Sequence, residues 1–231
     1  MLTVLCFGCN SDVPQTNPNQ VSGHQRMLSI LDGIRRRAPA EHLYFGKFEH
    51  IRLRKHLKTA GPGMREAEKL KLLCALGYAE LSYEPTPREA IAHLAEAYQL
   101  LSEMPDPPAD LAHAVKFYLG VAWLRHGETE NCCLRHNSNS CILPIRGGGI
   151  HTKQEGSRKA IEYFYELLSE TESRKNEVFW HFPARWLLNI AYMTLNEYPD
   201  NVPEEYRIPQ HFFKSEVEFP EFQNVAPKLG M

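Results

Sequence analysis

The sequence predicts an all-α protein of TPR-like stacked helical hairpins, with a long Cys/His-containing loop insertion and an extended C-terminal arm. Three observations predict it. Apolar residues recur at helical spacing over 64–81, 88–103, 109–126, 157–169 and 184–195. Proline-rich punctuation, Gly61-Pro62-Gly63, Glu84-Pro-Thr-Pro87 and Met104-Pro-Asp-Pro-Pro108, separates the earlier runs. The runs also echo one another: Leu119-Gly120 stands where the first pair has Leu76-Gly77, and Phe164 answers Leu94.

At the N-terminus, residues 1–9 (MLTVLCFGC) resemble the end of a bacterial lipoprotein signal that lacks its basic start, which makes Cys9 a candidate lipidation site. Residues 10–24, rich in Pro, Asn and Gln, read as a flexible tether. The helical-repeat domain is expected from 25 to 198. It opens on a weak helical pattern, with Met27, Ile30, Leu31 and Ile34 on one face, and Arg35-Arg36-Arg37 followed by Pro39 is expected to end that helix.

The hairpins follow. In 64–81, Leu70, Leu73, Cys74, Gly77 and Leu81 share a face. In 88–103, after a Thr86 cap with Pro87 at the first helical position, Ile91, Leu94, Ala95, Tyr98 and Leu101 point inward. Small residues in the first helix of a pair and a large hydrophobe in the second let the two approach closely and stack on the next pair.

Between the helices of the second pair lies an insertion, 127–156, far longer than an ordinary turn. It carries Asn131-Cys132-Cys133, His136, Cys141-Ile-Leu-Pro144 and Gly147-Gly-Gly149-Ile-His151. Three chemistries fit those residues. A disulfide from Cys132 or Cys133 to Cys141 would close a small loop and stabilise by roughly 2–3 kcal/mol. Cys133, His136, Cys141 and His151 offer two thiolates and two imidazoles, a donor set suited to tetrahedral zinc or copper. Cys133 with His136 could form a nucleophile–base pair, but no acid stands near to orient it. The glycine run is wrongly spaced for a phosphate loop, and His151 reads as a hydrogen-bonding loop residue.

The last helix, Ala184 to Leu195, is apolar on nearly every face, so Asn189 within it needs a buried partner such as a loop carbonyl. From 199 to 231 the chain is rich in Pro and Phe without helical period and reads as an extended arm on a surface.

A net charge of −2 over 231 residues argues against nucleic acid or an anionic membrane surface as a partner. Of the six cysteines, Cys132, Cys133 and Cys141 cluster outside any zinc-finger spacing, which fits an oxidising compartment. With the N-terminal stretch, they point to the periplasm or cell surface, with a lipid tether through Cys9.

Asn131-Cys132, His136, Cys141-Ile-Leu-Pro144, Gly149-Ile-His151, Trp186-Leu-Leu-Asn-Ile-Ala-Tyr-Met193, Tyr198-Pro199, Val202-Pro203 and Phe222-Gln-Asn-Val-Ala226 together resemble a known architecture. It is the N-terminal region of bacterial FG-GAP/VCBS-repeat proteins related to cartilage acidic protein (the ASPIC/UnbV group). The resemblance covers about residues 110–231. It implies a helical region preceding a β-propeller, with the 199–231 arm leading into it; the propeller's Asp-rich calcium repeats are not in this sequence. Cys133 is an addition to the family pattern, so the resemblance favours Cys132–Cys141 as the disulfide. The expected function is a non-enzymatic, cofactor-free scaffold binding a partner protein or its own propeller. The alternative is an extracytoplasmic copper- or zinc-binding module.

Overall fold

The computed structural model describes residues 21–42, 48–60, 63–83, 87–135, 137, 139–140, 142–176, 178–214, 216–217 and 224–230. Among them the chain is all-helical, with no strand. The helices are α1 (Gly23–Glu41), α2 (Phe48–Ala60), α3 (Glu66–Tyr83), α4 (Arg88–Glu103), α5 (Ala109–Glu128), α6 (Glu155–Thr171) and α7 (His181–Thr194). None is long and apolar enough to cross a membrane. Cys9, Thr86, His136, Cys141 and Phe222, which carried sequence expectations, lie outside the described residues.

Two compact units divide the chain, Met1–Phe48 and Glu49–Met231. In the first, α1 starts at Gly23, inside the stretch 10–24 expected to be a tether. The Ser22 hydroxyl accepts from the Gln25 N–H while the Gln25 side chain accepts from the Ser22 N–H, both at 3.1 Å; this reciprocal pair caps the helix. The helix does not stop at the arginine run but continues through Pro39 to Glu41. A proline there costs one backbone bond at the frayed end rather than in the middle. Asp32 anchors the run, pairing with Arg35 at 2.9 Å and Arg36 at 2.8 Å.

In the second unit, α5 is the hub, packing against α3, α4, α6 and α7; α3 pairs with α4, and α6 with α7. The core is close to the face expected for 64–81: Leu70, Leu73, Cys74, Gly77 and Leu81 are all buried. In α4 the inward set is Ala90, Leu94, Ala97 and Leu101, and Ala95 is exposed, because the buried stripe runs one residue off the expected face. Gly77 and Gly120 do the same job at the α3–α4 and α5–α6 contacts. A Cβ at Gly77 would strike the Leu94 side chain of α4, and one at Gly120 would fall 2.6 Å from the Phe164 ring of α6.

A buried carboxylate ties α2, α3 and α4 together. Glu80 is fully enclosed; Arg54 donates to it at 2.8 Å, and its other oxygen meets His93 Nδ1 at 2.8 Å. Lys116 of α5 reaches Glu166 and Glu170 of α6, and the Tyr98 hydroxyl of α4 donates to Glu166 at 2.7 Å.

After α7 the chain is not simply laid on the surface. Val202 and Tyr206 are buried, and Tyr206 joins the core formed by α6 and α7. Asn189 explains the anchoring: its amide donates to the Arg185 and Tyr206 carbonyls, both at 2.9 Å, and its oxygen accepts from the Ile208 N–H at 3.0 Å. The buried amide required of the sequence is thereby satisfied by backbone groups.

Candidate functional site

The segment joining α5 to α6 is more ordered at its ends than the sequence suggested. The helix of α5 passes into a π-helical turn, Thr129–Cys133, and a short 3₁₀ turn, Gly147–Gly149, precedes α6. Asn131, buried in the π turn, closes the segment on itself. Its Nδ2 donates to the Gly127 and Lys153 carbonyls at 2.8 and 3.0 Å, and its Oδ1 accepts from the Thr152 and Lys153 N–H groups at 2.9 and 3.0 Å. Asn137 acts similarly farther out, accepting from the Asn139 N–H at 2.9 Å and donating to the Gly148 carbonyl at 2.8 Å. The Asn-rich composition thus supplies side-chain bonds that replace secondary structure.

That closure brings Cys132 to His151. Cys132 Sγ lies 3.4 Å from His151 Nε2, and the imidazole is almost wholly buried. The sequence had placed Cys133 in this company; Cys133 is instead exposed. One residue along a helical turn is about 100° of rotation, enough to exchange inside for outside. Cys74, the other cysteine described, sits in the core with its thiol pushed up to about 11 by burial, so it is chemically quiet.

On its other side, His151 Nδ1 is 3.0 Å from Ser157 Oγ in the first turn of α6, and Ser157 Oγ is 2.7 Å from Thr194 Oγ1 at the end of α7. Thr194 Oγ1 is also 2.7 Å from the Ala191 carbonyl. A carbonyl only accepts, so the Thr194 hydroxyl gives its single proton there; Ser157 then donates to Thr194 and accepts from His151 Nδ1–H. Nε2 is left as the basic nitrogen, its lone pair towards sulfur. Burial also pushes the imidazole below its ordinary value, which keeps it neutral at pH 7. The His151 N–H donates to the Thr194 carbonyl at 2.8 Å, fixing the ring's position. Cys132 borders a small cavity of about 200 Å³ shared with Arg135, Asn137 and Thr152.

Such an arrangement offers a sulfur and a neutral imidazole nitrogen held at a fixed spacing. Among the described residues no three His, Cys, Asp or Glu groups converge to hold an ion. Cys141 and His136, which the disulfide and metal expectations also need, lie outside those residues. Ser157 and Thr194 were missed by sequence reasoning, since nothing local marks a helix-end hydroxyl as the partner of a distant histidine.

A second feature is an aromatic ladder across α3, α5 and the start of α7. Tyr78 of α3 meets Tyr118 of α5 at 5.0 Å between ring centres, Tyr118 meets Trp180 at the head of α7 at 5.2 Å, and Trp180 meets Phe179 at 4.8 Å. Its ends are open: Tyr78 is 53% and Phe179 76% exposed. Comparison with models of protein families, with curated proteins and with solved structures finds no match for this chain.

Proposed function

We propose that the protein is a non-enzymatic helical-repeat scaffold of the TPR-like kind, acting outside the cytoplasm and binding a partner protein or its own C-terminal propeller. The aromatic ladder carries the reading. Tyrosine and tryptophan dominate binding hot spots because they bury large, stiff surfaces at little entropic cost. Here they run across α3, α5 and the start of α7, the first helices of two pairs and of what would open a third. The repeated small-against-large contact, Gly77 on Leu94 and Gly120 on Phe164, supports the pairing.

The test places a photo-crosslinking amino acid at Tyr78 or Phe179 in the cells that make the protein, with Tyr165 of α6 as control. A discrete adduct from the ladder positions, to another protein or to a propeller on the same chain, and none from Tyr165, is the expected result. No adduct, or the same adducts from all three positions, ends the scaffold reading.

One observation favours a second reading, a copper- or zinc-binding module. With metal–sulfur and metal–nitrogen bonds of about 2.3 and 2.0 Å, two ligands on a tetrahedral ion stand about 3.5 Å apart. Cys132 and His151 stand at 3.4 Å, and Ser157 orients the far ring nitrogen as an outer-shell partner does. Intact mass and alkylation, with and without reductant, combined with elemental analysis, separate the two. A Cys132–Cys141 bridge upholds a stapled loop. One equivalent of zinc or copper, lost in Cys132→Ser and in His151→Asn, upholds the metal reading, and failure of the reduced protein to take up either ion removes it.

A further inference from the structure

We infer that a cavity between the α5–α6 segment and the C-terminal arm binds a small monocarboxylate with an aromatic or branched apolar body. The cavity is about 370 Å³, near the lower end of the size of small-molecule sites. Its walls are mostly apolar, with Ile142, Leu143 and Pro144 on one side, Tyr198 and Phe213 on the other, and the amide of Gln210 beside them.

Those walls are held in place. The Tyr198 hydroxyl donates to the Ile208 carbonyl at 2.5 Å, so its polar end is occupied and its ring is left for the cavity. The Phe213 ring packs edge-on to Tyr198 at 5.7 Å and against Trp186 of α7 at 5.5 Å. Two bonds, Asn137 to the Gly148 carbonyl and Gly149 N–H to the Arg146 carbonyl, fix the turn that presents Arg146.

Charge decides the ligand. Arg146 and Lys214 both line the cavity, no acidic residue among those described lines it, and neither cation has a carboxylate partner among the described residues. Two cations beside apolar walls attract an anion, most strongly at low salt because both side chains are exposed. The guanidinium fork matches a carboxylate in two hydrogen bonds, with the ammonium adding a third. A mostly apolar chamber admits one negative charge more cheaply than two, since each desolvated charge adds its own penalty. A monocarboxylate with an apolar tail satisfies both halves of the site.

The test titrates the purified chain with phenylacetate, 4-phenylbutyrate and isovalerate, each against its neutral amide, by calorimetry and by the fluorescence of Trp186 behind Phe213. At least one acid is expected to bind at a single site, with its amide about 10- to 100-fold weaker. The double variant Arg146→Gln, Lys214→Gln should bind the acid no better than the amide while melting like the parent, since both residues are exposed. Phe213→Ala should weaken acid and amide alike. The inference is overturned if all three acids fail to bind at millimolar concentration, if acid and amide bind equally, or if the double variant retains the parent's affinity. These residues lie apart from the aromatic ladder, so the outcome is independent of the scaffold reading.

Discussion

Gly120 shows how little freedom a single position can have. A methyl group there would stand 2.6, 2.8 and 2.9 Å from three atoms of the Phe164 ring, which is fully buried. The ring cannot swing aside, because Leu124, Leu167 and Leu188 share its cluster. Replacing Gly by Ala inside a helix normally gains about 1 kcal/mol of propensity; here that gain is opposed by overpacking, which costs about 1–3 kcal/mol. Gly120→Ala should therefore lower the urea midpoint. Gly33, in α1 with nothing near its Cβ position, is the control, and Gly33→Ala should leave stability equal or higher. Equal gains at both sites would mean that the close approach of α5 and α6 does not exist in solution.

At the scale of the element, what the sequence displayed and what it concealed follow from how far each signal reaches. A 3.6-residue apolar rhythm is local, so five of the helices were legible, and the Gly77–Gly120 correspondence could be seen by aligning the runs. The rhythm is too coarse to fix the centre of the stripe to one residue, so it put Ala95, at the far edge of the face, inward in α4 and left out Ala97. It also gave no warning that α1 passes Pro39, since the cost there falls on a frayed last turn. The Cys/His segment was visible as composition alone. Its internal wiring was not: Asn131 works through backbone groups of Thr152 and Lys153, and the His151 partners come from the ends of two later helices. Asn131 is the test of that wiring. In Asn131→Ala the Thr152 and Lys153 amides lose their acceptor, at a cost of about 1–3 kcal/mol. Their hydrogen exchange should speed up about 10- to 100-fold, while the Phe164 to Leu168 amides of α6 keep their protection. Unchanged exchange at 152–153 would show that something else closes the segment.

Across the Glu49–Met231 unit, the buried imidazoles set how stability responds to pH. His113, His151 and His181 are all pushed below the ordinary value of 6.5, chiefly by burial. Glu170 opposes the shift at His113 and Glu172 opposes it at His181, whereas no carboxylate opposes it at His151. In each case the folded form holds its proton less tightly than the unfolded chain. Above about pH 7 neither form is protonated there and stability is flat. As pH falls through 6.5 the unfolded chain takes up protons that the folded one refuses, and stability drops until the folded pKa is reached. Carboxylates held down by partners, such as Glu197 by Arg158 and Glu49 by Arg52, begin to matter only below about pH 4.5, while Glu128, pushed up by burial, takes up its proton earlier in the folded form and softens the acid end of the slope. The melting temperature should therefore be level from about pH 8 to 7 and fall steadily from about 6.5 to 5. His151→Asn keeps a hydrogen-bonding side chain but cannot titrate; it should melt lower at pH 8 and lose part of the acid slope. A melting temperature that rises on acidification through this window would mean that these histidines gain, rather than lose, affinity for protons on folding, and the relay from His151 through Ser157 to Thr194 would have to be redrawn around a charged ring.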